Sequence, residues 1–429
     1  MSDTPETPDA SVGRVELKGN VIIGQAGGPT CVINQSLVGA IKELVKSKEI
    51  NDIYGALHGI DGMLAEDYID LRAETPRSLE KIARTPSSAL GSTRTKPTTE
   101  DCLRLFEICK KREVRYLFYI GGDDTANASG IVADAAADAE YDMRVFHIPK
   151  TIDNDLLEND HCPGYGSAAR FVALASMGDQ LDNRSLKGVK INIIMGRRAG
   201  FLTAASVLGQ QRSDDGPHLI YVPERPFSLN KFLRDVTQVH DELGRCVVAV
   251  AEGIQERIQE DIAAEGHEPI QTSEETDSFG HRQLSGSGEL GDYLATFVKH
   301  HLGPVVQERT GKKLRIRADT FGYLQRCFPE VVSKVDAEEA LRVGREAARV
   351  AVTDEHPNGT ITIQRTGTAK TYAVSYVWKP LEAVAAGHRR MPDEYINAEG
   401  NGITEAFRDY ALPLVDRFPR LGWLKGKPI

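Results

Sequence analysis

Several features that would each define a class of protein are absent from this sequence. Its six cysteines are scattered, with no CxxC pair and no zinc-ligand spacing, which argues against a disulfide framework or a cysteine metal site and predicts reduced thiols. No basic block occurs and the formal net charge is −10, so neither nucleic acid nor an anionic membrane is the expected partner. No apolar run approaches the roughly 20 residues of a membrane span. Because residues 1–17 are polar and contain no signal core, we expect a disordered leader on a cytoplasmic protein.

What the sequence does contain is a repeated alternation of short apolar runs with segments of helical periodicity. This alternation predicts an α/β fold with doubly wound, mainly parallel sheets. The strongest predicted strands are 21–23, 114–120, 145–148, 189–195, 218–222 and 246–250. In such sheets ligands bind beyond the carboxyl ends of the strands, so the residues that follow these runs are the first candidates for chemistry.

The most informative stretch is 150–155, which follows a buried-strand pattern and reads Lys-Thr-Ile-Asp-Asn-Asp. In extended backbone Asp153 and Asp155 would face the same side, so one carboxylate could accept a proton while the other orients a metal or water. Lys150 adds a cation, and this combination suits phosphoryl transfer. A helix-capping turn is the alternative, because Thr, Asp and Asn are also preferred cap residues.

Two glycine turns follow other predicted strands, at Gly27-Gly28 and at Gly121-Gly122. Glycine allows backbone N–H groups to approach a phosphate closely, although such turns are also common for steric reasons. Asp123 follows the second turn, and a carboxylate beside a phosphate requires a cation between them, so Asp123 is a candidate Mg²⁺ ligand. A helix-capping role for the next two residues is the alternative.

Other charged residues are weaker candidates for anion binding. Arg94 and Lys96 lie in a polar loop and could reach a phosphate or could simply be solvated. Arg317 and Arg326 flank a predicted extended turn, where an anion clamp and a charged surface are both possible. The acidic, polar stretch 255–288 is predicted to be a surface insertion.

Taken together, these motifs resemble those of the phosphofructokinase family in their order and spacing. The resemblance extends from about residue 21 to residue 326 and implies a two-domain fold with the active site in the cleft between the domains. It also implies transfer of a phosphoryl group to the 1-hydroxyl of fructose 6-phosphate with Mg²⁺ as cofactor. The matching motifs are Gly27-Gly28, Gly121-Gly122-Asp123-Asp124-Thr125, 149–155, Met195-Gly196-Arg197, Glu252-Gly253 and Tyr323-Leu324-Gln325-Arg326.

The resemblance also implies a role for each matching residue. Asp153 would be the general base, Asp123 would bind Mg²⁺, and Arg197 would stabilise the transferring charge. Arg317 would reach the sugar phosphate from a neighbouring subunit of a homodimer or homotetramer. The expected donor-phosphate contacts are Gly27, Gly28, Arg94 and Lys150. The expected sugar-phosphate contacts are Thr151, Ile152, Asp153, Met195, Gly196, Arg197, Glu252, Tyr323, Leu324, Gln325 and Arg326.

Two positions indicate pyrophosphate as the donor. Family members that use ATP resemble this chain but have Gly at the positions of Asp124 and Lys150, whereas the pyrophosphate-dependent branch has Asp and Lys. The Asp124 carboxylate would occupy the space that the α-phosphate of a nucleotide needs and would repel that phosphate by like charge. Lys150 would hold the small donor. ATP dependence is the first alternative. A non-catalytic regulatory subunit is the second, although such a chain should have lost Asp123, Asp153 or Asp155.

The same reasoning divides the chain into segments. Residues 18–165 and 325–400 are predicted to form a donor-phosphate domain, and residues 166–324 a sugar-phosphate domain that carries the insertion. Residues 401–429 are predicted to be a C-terminal extension. The physiological direction of the reaction and the use of related sugar phosphates stay open.

Overall fold

The computed structural model describes residues 17–424 apart from 256–257, 259–261, 263, 265, 268–287, 354 and 369. The predicted leader and most of the predicted insertion 255–288 lie outside the described residues. Ile258 and Ile262 are described and are fully buried in a core cluster, so the start of the predicted insertion packs into the protein rather than lying on its surface.

Two sheets organise the fold. The larger sheet has seven strands in the order β11-β10-β5-β4-β1-β2-β3, and the smaller has four in the order β7-β8-β6-β9. The strands are β1 (Gly19–Gln25), β2 (Ile50–Ala56), β3 (Tyr68–Asp70), β4 (Val114–Gly121), β5 (Arg144–Pro149), β6 (Val189–Ile194), β7 (Leu219–Tyr221), β8 (Cys246–Ala251), β9 (Ile316–Thr320), β10 (Asn358–Arg365) and β11 (Val374–Lys379).

Strand pairing confirms the predicted fold class of two mainly parallel sheets. Every strand pair in the smaller sheet is parallel. Among the strands that the structure describes, antiparallel pairing occurs only at the two edges of the larger sheet, between β2 and β3 and between β10 and β11. Strands β5 and β8 are buried along their whole length, which explains why β8 is a continuous apolar run and why β5 is mainly apolar, apart from buried Arg144 and His147. The sheet strands of each predicted domain fall inside its predicted boundaries, and the boundaries themselves stay a prediction.

Helices cover the sheets, and one helix pair ties a late segment of the chain to the larger sheet. The helices are α1 (Ile33–Leu44), α2 (Ile60–Ala65), α3 (Pro76–Ala83), α4 (Thr99–Lys111), α5 (Asp123–Asp138), α6 (Tyr165–Ser185), α7 (Phe201–Ala205), α8 (Leu229–Leu243), α9 (Glu289–Thr310), α10 (Leu324–Cys327), α11 (Lys334–Val352), α12 (Leu381–Ala385) and α13 (Glu405–Ala411). Helix α11 packs closely on α1, and at two glycine positions the backbones approach so closely that no side chain would fit between them. A Cβ on Gly39 would lie 2.1 Å from the Leu341 carbonyl oxygen, and one on Gly344 would lie 2.0 Å from that of Ser36.

The segment predicted to be a C-terminal extension is part of the core. Phe407 and Tyr410 of α13 are buried in the same cluster as Tyr165 of α6 and Phe201 of α7. This segment contacts both sheets, because the cluster includes Ile220 of β7 and because Arg365 of β10 donates to the Tyr410 carbonyl oxygen at 3.0 Å. Among the described residues, no helix is both long and apolar enough to cross a membrane.

Candidate active site

A cleft opens where the carboxyl ends of β1, β4 and β5 meet the ends of β6 and β8. Most of its lining comes from the larger sheet, and Met195 and Glu252 come from the smaller one. The predicted site residues in its lining are Gly27, Gly28, Arg94, Asp123, Asp124, Lys150, Thr151, Ile152, Asp153, Asp155, Met195, Glu252 and Arg326. The structure thus brings together, in three dimensions, groups that are up to about 300 positions apart in the chain.

The loop after β5 holds the central carboxylates, although not in the extended backbone that the sequence suggested. The Lys150 N–H donates to the Gly121 carbonyl oxygen at 2.9 Å, which keeps the loop against the end of β4. Thr151 Oγ1 accepts from the Asp153 N–H at 3.1 Å and donates to Asp155 Oδ1 at 3.2 Å. Asn154 then adopts a φ of +61°, so the loop is a tight turn. Both carboxylates still line the cleft, because the turn rather than a β-strand directs them there.

The local electrostatics favour a carboxylate that can hold a proton near neutral pH. Burial raises the pKa of Asp153, against the opposing influence of Arg326 and Lys150. Burial together with the charges of Asp153 and Asp123 raises the pKa of Asp155 to about 7. A general base works best when its pKa lies near the working pH, so the pair is suited to accepting a hydroxyl proton.

Two cationic side chains, Arg94 and Lys150, line the cleft beside the first glycine turn. We call this region, formed by Gly27, Gly28, Arg94 and Lys150, the donor side of the cleft. Lys150 is buried, and burial followed by the charges of Arg326 and Arg94 lowers its pKa to about 8. A Cβ on Gly27 would lie 3.0 Å from Lys150 Nζ, and one on Gly28 would lie 3.1 Å from Arg326 Cζ. Gly27 also has a φ of +73°. The backbone conformation therefore favours glycine at Gly27, and at both positions an added Cβ would crowd the end of a cationic side chain.

Asp123 is the first residue of α5, whose N-cap is Gly122 and has no side-chain cap. Helix capping by Asp124 or Thr125 therefore does not account for this motif. Asp123 Oδ2 lies 3.5 Å from His388 Nε2 and 4.0 Å from the Arg198 guanidinium. Within the described part of the chain, no group of three or more His, Cys, Asp or Glu side chains is arranged to hold a metal. A single cleft carboxylate such as Asp123 is compatible with Mg²⁺, which commonly uses one or two carboxylates and takes its other ligands from water and substrate phosphates.

Asp124 and Lys96 occupy one edge of the cleft as an ion pair. Lys96 Nζ lies 2.8 Å from Asp124 Oδ1, and the carboxylate raises the pKa of Lys96. The sequence left Lys96 as a possible phosphate ligand. In the structure its charge is directed to Asp124 instead.

Other predicted sugar-phosphate residues lie outside the cleft lining. Tyr323 is 51% exposed and Leu324 is 62% exposed, at the start of a short helix rather than in the predicted extended turn. Gln325 is buried and accepts from the Met195 N–H at 3.3 Å, so its contact is with the loop that carries Met195. Arg317 is exposed on β9, an edge strand of the smaller sheet, and its guanidinium donates to the Ile316 carbonyl oxygen.

Gly196 and Arg197 follow β6 and also lie outside that lining. Gly196 has a φ of +134°, which glycine tolerates and other residues rarely adopt. A Cβ on Gly253 would lie 1.9 Å from the Arg197 carbonyl oxygen, so the turns after β6 and β8 touch. The Arg197 charge acts on Asp153 by lowering its pKa against burial.

His388 is the main residue of this region that the sequence did not indicate. Arg198 donates to His388 Nδ1 at 3.1 Å, and the same nitrogen lies 3.7 Å from Asp155 Oδ2. With Nδ1 as acceptor, the neutral ring carries its proton on Nε2, which faces Asp123. His388 lies in an irregular segment after α12, where neither periodicity nor strand position marks it. A lone histidine in a basic loop carries no sequence signal for such a contact.

Comparison with known proteins agrees with this geometry. The family profile described as Phosphofructokinase matches residues 20–351. A pyrophosphate--fructose 6-phosphate 1-phosphotransferase of Rhodospirillum rubrum is 49% identical, over 94% of this chain and 95% of that protein. A protein of the same name from Xanthomonas campestris is 35% identical, over 92% of this chain and 91% of that protein.

Solved structures show the same similarity. The crystal structure of a pyrophosphate-dependent phosphofructokinase from Marinobacter aquaeolei superposes with a TM-score of 0.79 at 32% identity, covering 96% of this chain and 95% of that one. From its motifs, its fold and these relatives, the chain belongs to the phosphofructokinase family.

Proposed function

We propose that this chain transfers a phosphoryl group between pyrophosphate and the 1-hydroxyl of fructose 6-phosphate, giving fructose 1,6-bisphosphate and phosphate. The observation that carries the proposal is the cationic donor side, where buried Lys150 lies against Gly27 in the space that a glycine leaves open. A small, highly charged donor suits such a site, because it has no other part by which it can be anchored. The names of the relatives at 49% and 35% identity support the same donor and acceptor.

The site residues divide into three roles in this proposal. Asp153 accepts the proton of the 1-hydroxyl as its oxygen attacks the terminal phosphorus of the donor. Lys150 and Arg94 bind the donor oxygens, and Arg197 stabilises the charge on the transferring group. Met195 and Glu252 bind the sugar phosphate from the wall that the smaller sheet supplies, and Arg326, which lies against Gly28, binds it next to the donor side.

We further propose that Asp123 holds the Mg²⁺ required for the transfer. When bound, the metal neutralises charge on the donor oxygens and positions them. His388 then links the Asp123 and Asp155 carboxylates and helps to orient them. Its Nε2 lies 3.5 Å from Asp123 Oδ2, and its Nδ1 lies 3.7 Å from Asp155 Oδ2.

For the assembly we propose a cytoplasmic homodimer or homotetramer in which Arg317 enters the site of a neighbouring subunit. Its exposed position on an edge strand of the smaller sheet supports this arrangement.

The function is tested by initial rates of the purified chain with fructose 6-phosphate, Mg²⁺ and either pyrophosphate or ATP. Formation of fructose 1,6-bisphosphate with pyrophosphate, and little with ATP, is the expected result. A faster rate with ATP would reassign the donor. No product with either donor, from folded protein, would support the non-catalytic regulatory subunit. The retention of Asp123, Asp153 and Asp155 argues against that last reading.

A further inference from the structure

Asn154 separates the two central carboxylates and is held by contacts far from it in the chain. It is fully buried and adopts a left-handed backbone conformation, with a φ of +61°. Its Oδ1 accepts from the Cys162 N–H at 2.9 Å. Its Nδ2 donates to the Tyr410 hydroxyl oxygen at 2.7 Å. Both polar ends of the side chain are therefore satisfied, which fixes the orientation of the residue that turns the chain between Asp153 and Asp155.

The Tyr410 hydroxyl is the second link. It accepts from Asn154 and donates to the Asp160 carbonyl oxygen at 2.7 Å. Burial raises the pKa of Tyr410 to about 12, so the hydroxyl keeps the proton that it donates. Two guanidinium groups lie over the ring, that of Arg365 4.7 Å and that of Arg389 5.8 Å from its centroid. These contacts leave the hydroxyl little freedom to leave Asn154.

The far end of this chain of contacts is anchored in the larger sheet. The Asp160 N–H donates to the Ile363 carbonyl oxygen of β10 at 2.8 Å. The Asp160 carboxylate accepts from Arg365 at 3.1 Å and lies 2.7 Å from His161 Nδ1. The turn at Asn154 is thus attached to the larger sheet through a tyrosine of the C-terminal helix α13.

We propose that Tyr410 is a positioning residue for phosphoryl transfer: its hydroxyl holds Asn154 and thereby fixes the turn that directs Asp153 and Asp155 into the cleft. The inference rests on the proposed role of Asp153. It gives the C-terminal segment a part in catalysis, although none of its residues needs to touch substrate. A small rotation of the turn would move the base relative to the hydroxyl, and displacements of about 1 Å can reduce turnover on the order of 100-fold.

The test compares Tyr410→Phe and Asn154→Gly with the wild-type enzyme under saturating pyrophosphate and fructose 6-phosphate. Tyr410→Phe keeps the ring and its packing but removes the hydroxyl. Asn154→Gly permits the same positive φ but removes the amide. Each is expected to lower kcat roughly 10- to 100-fold while both KM values change less than about threefold, because a misplaced base affects the chemical step rather than binding. The double variant should lose no more than the worse single variant, since both changes break the same bond.

Tyr395→Phe is the matched control. Its ring stacks on Tyr410 with the centroids 5.4 Å apart, so the change removes a hydroxyl from the same aromatic cluster and leaves the Asn154 contact intact. It should retain wild-type kcat. Wild-type kcat in folded Tyr410→Phe, additive losses in the double variant, or KM values that rise in step with the loss of kcat would each overturn the inference. If Tyr410→Phe does not fold, the kcat and KM values of Asn154→Gly provide the same test.

Asp153→Asn separates this inference from the function on which it rests. If that variant is inactive while Tyr410→Phe and Asn154→Gly are normal, only the positioning role fails. If Asp153→Asn retains turnover, the assignment of the base itself fails.

Discussion

Lys96 and Asp124 form an ion pair at the edge of the donor side, with Lys96 Nζ 2.8 Å from Asp124 Oδ1. Both side chains are more than one third exposed, so the pair contributes little to the stability of the fold. Its importance lies in its place, because Asp124 lines the cleft beside Asp123. The charge of Lys96 offsets that of the Asp124 carboxylate. We therefore expect Asp124 to exclude a nucleotide more by the space it occupies than by charge repulsion of the α-phosphate.

Replacing Asp124 with Gly is expected to improve ATP use. The change removes the carboxylate and releases Lys96, which can then meet a nucleotide phosphate. The ratio of kcat/KM for ATP to that for pyrophosphate should rise, as measured by initial rates with both donors. Lys96→Met is the control, because it deletes the partner and keeps the carboxylate, and it should not raise ATP use. Background ATP activity in folded Asp124→Gly would show that donor choice is made elsewhere.

The charge on Lys150 predicts a pH dependence. Because its pKa is lowered to about 8, Lys150 loses its proton as the pH rises through that value, and its attraction for pyrophosphate is lost with it. We expect kcat/KM for pyrophosphate to decline above about pH 8. In Lys150→Arg the decline should move to higher pH, since a guanidinium stays charged. A profile that is identical in both proteins would mean that another group titrates.

The lowered pKa of Lys150 also predicts that its charge destabilises the folded protein. A lysine whose pKa is lower in the folded than in the unfolded chain destabilises the fold while it is charged, and this penalty diminishes as the pH rises above the folded value. Lys150→Met should therefore melt at or above the wild-type temperature at pH 7 while losing activity with pyrophosphate. Thermal unfolding and initial rates measure the two effects. A large drop in melting temperature would indicate that Lys150 serves the fold rather than the donor.

Asp153→Asn should lower kcat by on the order of 100- to 10,000-fold with little change in the KM for fructose 6-phosphate. The amide preserves size and polar contacts but cannot accept the hydroxyl proton. Steady-state kinetics measure both constants, and Asp179→Asn, a carboxylate outside the cleft lining, is a suitable control. An Asp153→Asn enzyme with most of its turnover would remove Asp153 from the base role.

Asp123→Ala should raise the Mg²⁺ concentration needed for half-maximal rate, or abolish turnover. In the proposed role the Asp123 carboxylate is the protein's ligand to the metal, so its loss should weaken metal binding. Rates across a Mg²⁺ titration, together with calorimetric titration of Mg²⁺ in the presence of pyrophosphate, measure the effect. Wild-type turnover that survives a chelator would contradict the metal role.

Strands and glycine turns could be predicted from the sequence because they depend on neighbours in the chain. The apolar run before Lys150 is a buried parallel strand, and the turn at Gly27 has the positive φ that glycine accommodates. Local patterns of this kind are sufficient to find the cleft. They also suggested an extended backbone at 151–155, which was wrong because Thr151 closes a tight turn there and Asn154 adopts a positive φ.

The contacts that the sequence could not indicate join residues far apart. Asn154 meets Tyr410 across 256 positions, and Arg198 meets His388 across 190. The burial of α13 and the close approach of α1 and α11 also arise only when the chain is folded. Such pairs carry no periodicity, and each partner taken alone resembles an ordinary polar or aromatic residue.

The order of strands in the larger sheet has a consequence for how the protein is made. Strand β5, which carries the catalytic loop, pairs on one side with β10, which follows the entire smaller sheet in the sequence. On the ribosome, the first five strands emerge long before their last neighbours, and β5 stays an open sheet edge throughout that interval. The nascent chain therefore exposes a mainly apolar strand until residues 358–365 are released, and the contact between Asn154 and Tyr410 forms only when α13 follows. We expect synthesis that stops early to leave an aggregation-prone fragment without this contact.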